Sequence, residues 1–211
     1  MNIQTAVVSL FVVLFAITVH EASHGWAALK MGDPTAYHMG RITLNPIHHI
    51  DPIGTILLPL LLIIMGAPPF GWAKPVPVNP LNLKNPRRDN LLISAAGPLS
   101  NFLVAFIAYL GIHILKNLAS AQGSGAFNIL SAFYLILYYT IVINVILAIF
   151  NLIPIPPLDG SGVLMGVLSE EAAQKYEQIR PYGFFILILL IMTGVIGRIL
   201  GAILRIVDAF I

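Results

Sequence analysis

The feature that most constrains this chain is the gathering of its apolar residues into blocks. Residues 3–29, 91–115 and 127–150 are each apolar over at least the roughly 20 residues a helix needs to cross a hydrocarbon layer. A fourth block opens at residues 183–197 and is free to continue to the carboxyl end. Lipid offers no hydrogen bonds to a backbone, so blocks of this kind must be helices. Only 9% of the 211 residues are charged, against about a quarter in soluble domains. The first block lacks the basic start and the small-residue cleavage site of a signal peptide, so it is expected to remain as a span. A net charge of +2 without a basic stripe leaves no footprint for nucleic acid. Cysteine is absent, which excludes disulfides, thiolate metal ligands and a thiol nucleophile.

The segments between the blocks have their own signals. Met31-Gly32-Asp33-Pro34 stops the first helix. Arg41-Ile42-Thr43-Leu44 reads as a short strand and Asn45-Pro46 as a turn, which predicts a small β hairpin element. Residues 53–66 are apolar but too short for an easy crossing and contain Pro59, so they are expected to re-enter. Residues 67–90 are proline-rich, carry Lys74, Lys84, Arg87 and Arg88, and read as an ordered non-helical loop. Pro154, Pro156 and Pro157 keep residues 151–157 from being helical. The expected fold is an all-α polytopic membrane protein in one domain, residues 1–211. It has four to six transmembrane or re-entrant helices and the β hairpin element after the first. If residues 53–66 re-enter, the loops 30–52, 67–90 and 151–182 share one side and hold eight of the eleven basic residues. The positive-inside rule makes that side cytoplasmic.

His20-Glu21-Ala22-Ser23-His24 carries the chemistry. Residues four apart stack on one helix face, so both imidazoles can hold a single Zn²⁺. Glu21 projects about 100° away, where it reaches a water on the metal rather than the metal, as a general base requires. Chance placement of six His and four Glu would give this pattern only ~0.003 times in such a chain. Three ionisable groups in five residues of an otherwise apolar span are costly unless they share a partner. At 1.5 Å per residue His20 lies ~25 Å along the helix from Ile3, which puts the metal within the bilayer and nearer the cytoplasmic face.

Two histidines leave a catalytic zinc site short of a third protein ligand. Among the acids, Asp159 alone follows an unwound stretch at the end of a long span, and unwound backbone at membrane depth lines wet or buried sites. With neutral His20 and His24, the charges of Zn²⁺, Asp159 and Glu21 sum to zero, which suits a low-dielectric site. The competing reading makes Asp159 the cap of a short helix at 162–168, and the residues alone leave both open.

The HExxH on a span together with Asn151-Leu-Ile-Pro154-Ile-Pro-Pro-Leu-Asp159-Gly160 resembles the site-2 protease family of intramembrane zinc metalloproteases, peptidase family M50. Ala96-Gly97-Pro98 with Asn101, and the segment from Asn45-Pro46 to Asp51-Pro52, look like further family features. The resemblance covers nearly the whole chain, in the short form without PDZ or CBS domains. It implies one zinc per chain on His20, His24 and Asp159, Glu21 as general base, and Asn151 as a polar group near the scissile carbonyl or a helix-end bond. It implies regulated cleavage of transmembrane protein substrates in a prokaryotic cell membrane. Substrate choice would then rest on the membrane core, a regulatory partner or a homo-oligomer, and the 31–52 segment would offer a strand edge to an unwound substrate. The rival readings are an inactive relative and a membrane metal-binding or transport protein. Transport would want acids and histidines spread over several spans, and an inactive relative would not need Glu21. His48 and His49 read as interfacial polar groups or metal shields, Trp26 and Trp72 as interface anchors, and Ser94-Ala95-Ala96-Gly97 as a close helix contact.

Overall fold

The computed structural model describes residues 3–65, 71–121 and 127–211. Helix α1, Ile3–Met31, ends where the sequence stops it. Gly32 takes φ 106°, and the N–H groups of Gly32 and Asp33 return to the carbonyls of Leu29 and Ala28. That pairing satisfies the last carbonyls in a Schellman arrangement. After the single turn α2, Thr35–His38, come a 3-10 turn at Pro46–His49 and a π-helical turn at Pro52–Leu57, which leads into α3, Leu58–Ile64. An extended strap, 71–79, precedes α4, Pro86–Ala121. Helix α5, Phe127–Asn151, is followed by the short helices α6, Asp159–Val167, and α7, Glu170–Glu177, and then by α8, Gly183–Met192, and α9, Val195–Phe210.

Helices α1, α4 and α5 are long and apolar enough to cross a membrane. The run Glu170–Met192 with Val195–Phe210 would be a fourth span, bent by 64° at its break, where Gly194 adopts φ 72°. Within the block expected at 53–66, residues 53–64 form the π turn and α3; residue 66 and the start of the loop expected at 67–90 lie outside the described residues. From 71 to 85 that loop is non-helical but for one 3-10 turn, Pro80–Asn82.

The β hairpin does not form: among the described residues there is no strand. Arg41-Ile42-Thr43-Leu44 is a run of bends whose polar groups find other partners. The Arg41 N–H bonds to Ala36 O, and Thr43 O accepts from His49 Nε2. The buried Arg41 guanidinium donates to Lys74 O and Pro75 O at 2.5 and 3.2 Å. Of the β-branched pair that reads as a strand, Ile42 packs against Gly25 of α1 and the Thr43 hydroxyl accepts from the Asn45 N–H. The strand edge expected to receive a substrate is absent with it.

Helix α4 packs against α1, α5 and α6. The carboxyl ends of α1 and α5 and the amino end of α4 meet at one end of the bundle, where Arg87 Nε donates to Met165 O. Asp33 ties this end together, accepting from the N–H groups of Thr35 and Asn79, the Thr35 hydroxyl and the Asn82 amide. Two apolar clusters hold the bundle, Ala27, Ala28, Leu83 and Ile93 near this end and Ala108, Ile112 and Ile141 farther along α4 and α5. Between them lies a polar layer containing His20, Asn101 and Asn144, each almost fully buried.

Candidate metal centre

His20 and His24 sit one turn apart on α1, and both ε-nitrogens face the Asp159 carboxylate. His20 Nε2 is 3.0 Å from Asp159 Oδ2, His24 Nε2 is 3.3 Å from Oδ1, and the two ε-nitrogens are 3.1 Å apart. The three form the metal-competent cluster found among the described residues. Zinc bonds of ~2.0–2.1 Å in a tetrahedron put neighbouring donors ~3.3 Å apart, so the observed separations fit one ion with a position left open.

The proton positions sharpen that fit. His24 Nδ1 contacts Ile93 O at 2.7 Å, and a carbonyl can only accept, so Nδ1 carries a hydrogen, and in the neutral ring that a metal ion requires Nε2 carries the lone pair. His20 Nδ1 contacts Asn101 Oδ1 at 2.6 Å. The Asn101 amide cannot be reversed without aiming Oδ1 at Ala16 O, to which Nδ2 donates at 3.2 Å. With its ring neutral, His20 Nε2 also presents a lone pair. Two lone pairs 3.1 Å apart beside a carboxylate repel unless a proton or a metal ion lies among them. Asp159 Oδ2 completes the case: it is buried and has no hydrogen-bond donor in acceptable geometry among the described residues.

Asp159 is the first residue of α6, and Leu158 is the N-cap, without a side-chain capping bond. The carboxylate is turned to the histidines, so the capping alternative does not hold. Its place at a helix start is favourable for a negative charge. Gly160 allows the approach, since a Cβ there would lie 2.2 Å from Leu152 O. The Pro156–Pro157 bond within the broken segment is cis. Gly97 does the same for the histidines: its Cβ would stand 2.4 Å from His24 Nε2 and 2.7 Å from His20 Cε1. Of the small residues expected to serve helix packing, Gly97 thus also admits the imidazoles.

Glu21 is half-buried, and its Oε2 accepts from the Val76 N–H at 3.0 Å. The strap holding Val76 is fixed by Arg41, by Lys74 N–H to His49 O, and by Trp72 N–H to Gly54 O. Asn151 closes α5 with Nδ2 donating to Leu147 O, the helix-end bond. His49 is buried in a bond to Thr43 O, and His48 is exposed. Trp26 is exposed with Lys30 over its ring, and Trp72 lies edge-on to Phe184. Asn144, the Val76 N–H and Ile93 O escape sequence reasoning. Of these only Asn144 left a signal, a lone amide in the apolar run Ile141-Val-Ile-Asn144-Val-Ile.

The chain matches the model of Peptidase family M50 over residues 8–193. YwhC of Bacillus subtilis (strain 168), provisionally named a zinc metalloprotease, is 39% identical over 181 residues, 85% of this chain and 78% of YwhC. Rip2 of Mycolicibacterium smegmatis, named in the same way, is 28% identical over 186 residues, 88% of this chain and 66% of Rip2. Rip2 of Mycobacterium tuberculosis (strain H37Rv) is 26% identical over 197 residues, 92% of this chain and 71% of that protein. No solved structure gives a significant match. The matched region takes in α1, α4, α5 and the whole His20, His24 and Asp159 cluster, and the chain belongs to peptidase family M50.

Proposed function

We propose that this protein is an intramembrane zinc metalloendopeptidase that cuts transmembrane segments of other membrane proteins. The observation that carries the reading is the convergence of His20 Nε2, His24 Nε2 and an Asp159 carboxylate on a helix apolar and long enough to span a bilayer. The family and the provisional names of YwhC and Rip2 support zinc as the ion. His20, His24 and Asp159 hold it. The bound ion supplies Lewis acidity, lowering the pKa of a water and polarising the scissile carbonyl.

The rest is done by the chain. A substrate helix must unwind before cleavage, because its carbonyls are engaged in their own hydrogen bonds. Glu21, beside His20 on α1, takes a proton from the attacking water and returns it to the leaving amide nitrogen. The Val76 N–H holds Oε2 of that carboxylate, leaving Oε1 for the proton. Asn151 stands at the end of α5, eight residues before Asp159, and its amide is the polar group we assign to the scissile carbonyl. This assignment requires it to release Leu147 O when substrate binds. The excess of basic residues in 30–52, 67–90 and 151–182 supports a cytoplasmic location for this end of the bundle, and the bacterial relatives suit a prokaryotic cell membrane.

The test is Glu21→Gln in full-length protein with a co-expressed single-span substrate. Cleavage is expected to vanish while one zinc per chain remains by elemental analysis. Cleavage at the wild-type rate would refute the mechanism, and zinc retained by the double variant His20→Ala, Asp159→Ala would refute the ligand assignment.

A further inference from the structure

We infer that Asn144 is a positioning residue for the metal centre, acting through Asn101 on the proton of His20. The inference rests on the zinc reading above but concerns a residue that touches neither ion nor substrate. Asn101 and Asn144 are both fully buried. A buried amide costs free energy unless its groups are paired, so a pair of them in an apolar bundle calls for a reason.

Their hydrogen bonds form one directed chain across three helices. Asn144 Nδ2 donates to Thr140 O at 2.8 Å within α5. That bond turns Asn144 Oδ1 toward α4, where it accepts from Asn101 Nδ2 at 2.8 Å. The second Asn101 hydrogen goes to Ala16 O on α1, and Asn101 Oδ1 is left to accept the His20 Nδ1 proton. The chain begins at a backbone carbonyl, which cannot donate, so its direction is fixed from that end. Reversing either amide would set acceptor against acceptor.

The consequence is chemical. With the proton held on Nδ1, His20 Nε2 is a lone-pair donor aimed at Asp159 and His24. A reversed Asn101 would offer N–H to Nδ1 and leave the proton to sit on Nε2, where it competes with the ion. Ala16 O alone opposes that reversal when Asn144 is removed. Partners that fix the tautomer of a metal-ligating histidine typically matter 10- to 100-fold in metal affinity.

The experiment uses full-length protein in micelles with ¹⁵N-histidine, wild type against Asn144→Leu, which keeps the apolar volume of α5. The His20 Nδ1–H resonance is assigned by its loss in His20→Ala, and zinc affinity is read by competition with a chelating dye. Wild type is expected to show a solvent-protected Nδ1–H. In Asn144→Leu that proton should exchange at least 10-fold faster, with zinc held 10- to 100-fold more weakly. Asn144→Asp, which keeps an acceptor toward Asn101, should retain the protected proton. An unprotected Nδ1–H in wild type overturns the proposal, and that measurement needs no variant to fold. Weaker zinc binding with the Nδ1–H unchanged also overturns it, because that pattern marks packing alone. If the wild type bound no zinc, the metal reading would fall, and the Nδ1–H arm would still decide the role of Asn144.

Discussion

Gly97→Ala is the substitution in which the geometry of the centre is most exposed. The added methyl would lie 2.4 Å from His24 Nε2, 2.6 Å from His24 Cε1 and 2.7 Å from His20 Cε1. Ordinary van der Waals contact begins at 3.4 Å, so the His24 ring must retreat by about 1.0 Å. Metal sites tolerate ligand displacements of only ~0.2 Å. The ring cannot swing freely, because its Nδ1 bond to Ile93 O at 2.7 Å is made to the same helix that carries the new methyl. Breaking that bond costs ~1 kcal/mol, and losing the ligand geometry costs more. We therefore expect zinc affinity to fall by at least ~100-fold, the upper range for lost outer-shell support. The assay is zinc content of purified protein equilibrated against buffers of fixed free zinc, alongside substrate cleavage. Glycine to alanine inside a helix should otherwise stabilise by up to ~1 kcal/mol. Gly201→Ala in α9, with no described atom within 4 Å of its added Cβ, is the matched control and should leave zinc binding unchanged. Wild-type zinc affinity in Gly97→Ala would refute the placement of the imidazoles against α4.

The remaining expectations concern the supports of the centre. Gly160→Ala drives a methyl into Leu152 O and Ile153 O, which are backbone and cannot turn aside. It should cost ~1–3 kcal/mol, read as a lower Tm in detergent together with lost zinc. Arg41→Met removes the donor to Lys74 O and Pro75 O and so loosens the strap from which Val76 holds Glu21. Its kcat/KM should drop ~10-fold, equivalent to ~1.4 kcal/mol of transition-state stabilisation, with zinc content unchanged. At Asp33 burial opposes the charge, but donors from Asn82, Thr35 and Asn79 outweigh it and hold the carboxyl below its ordinary range. A depressed folded-state pKa gives stability that is present above the unfolded value of ~3.9 and lost as pH falls through the folded one. Asp33→Asn should therefore destabilise by ~1–3 kcal/mol at pH 7, with the gap to wild type closing below about pH 4 in thermal melts.

Much of this protein follows from local sequence. The spans follow from block length, and α1 ends at Gly32 because the chain needs a left-handed residue there. His20 and His24 share a face because residues four apart must do so on any helix. Asp159 was legible through its motif and its place after three prolines. The residues could not decide between ligand and cap, because that depends on where the helix starts, and α6 begins at Asp159 itself. The strand expected at Arg41 to Leu44 failed for a related reason. Ile42 is suited equally to a strand and to packing on Gly25, and pairing needs a neighbour that the fold does not bring.

The remaining features of the centre lie between residues far apart in the chain. The Asn101 contact to His20 joins positions 81 residues apart, and the Val76 N–H to Glu21 positions 55 apart. No local periodicity encodes such pairs, since each depends on which helix face meets which. Local sequence is enough to say which side chains could bind a metal. The packing of α4 and α5 against α1 decided which nitrogen of each histidine is bare, because a tautomer is set by the partner on the other side of the ring.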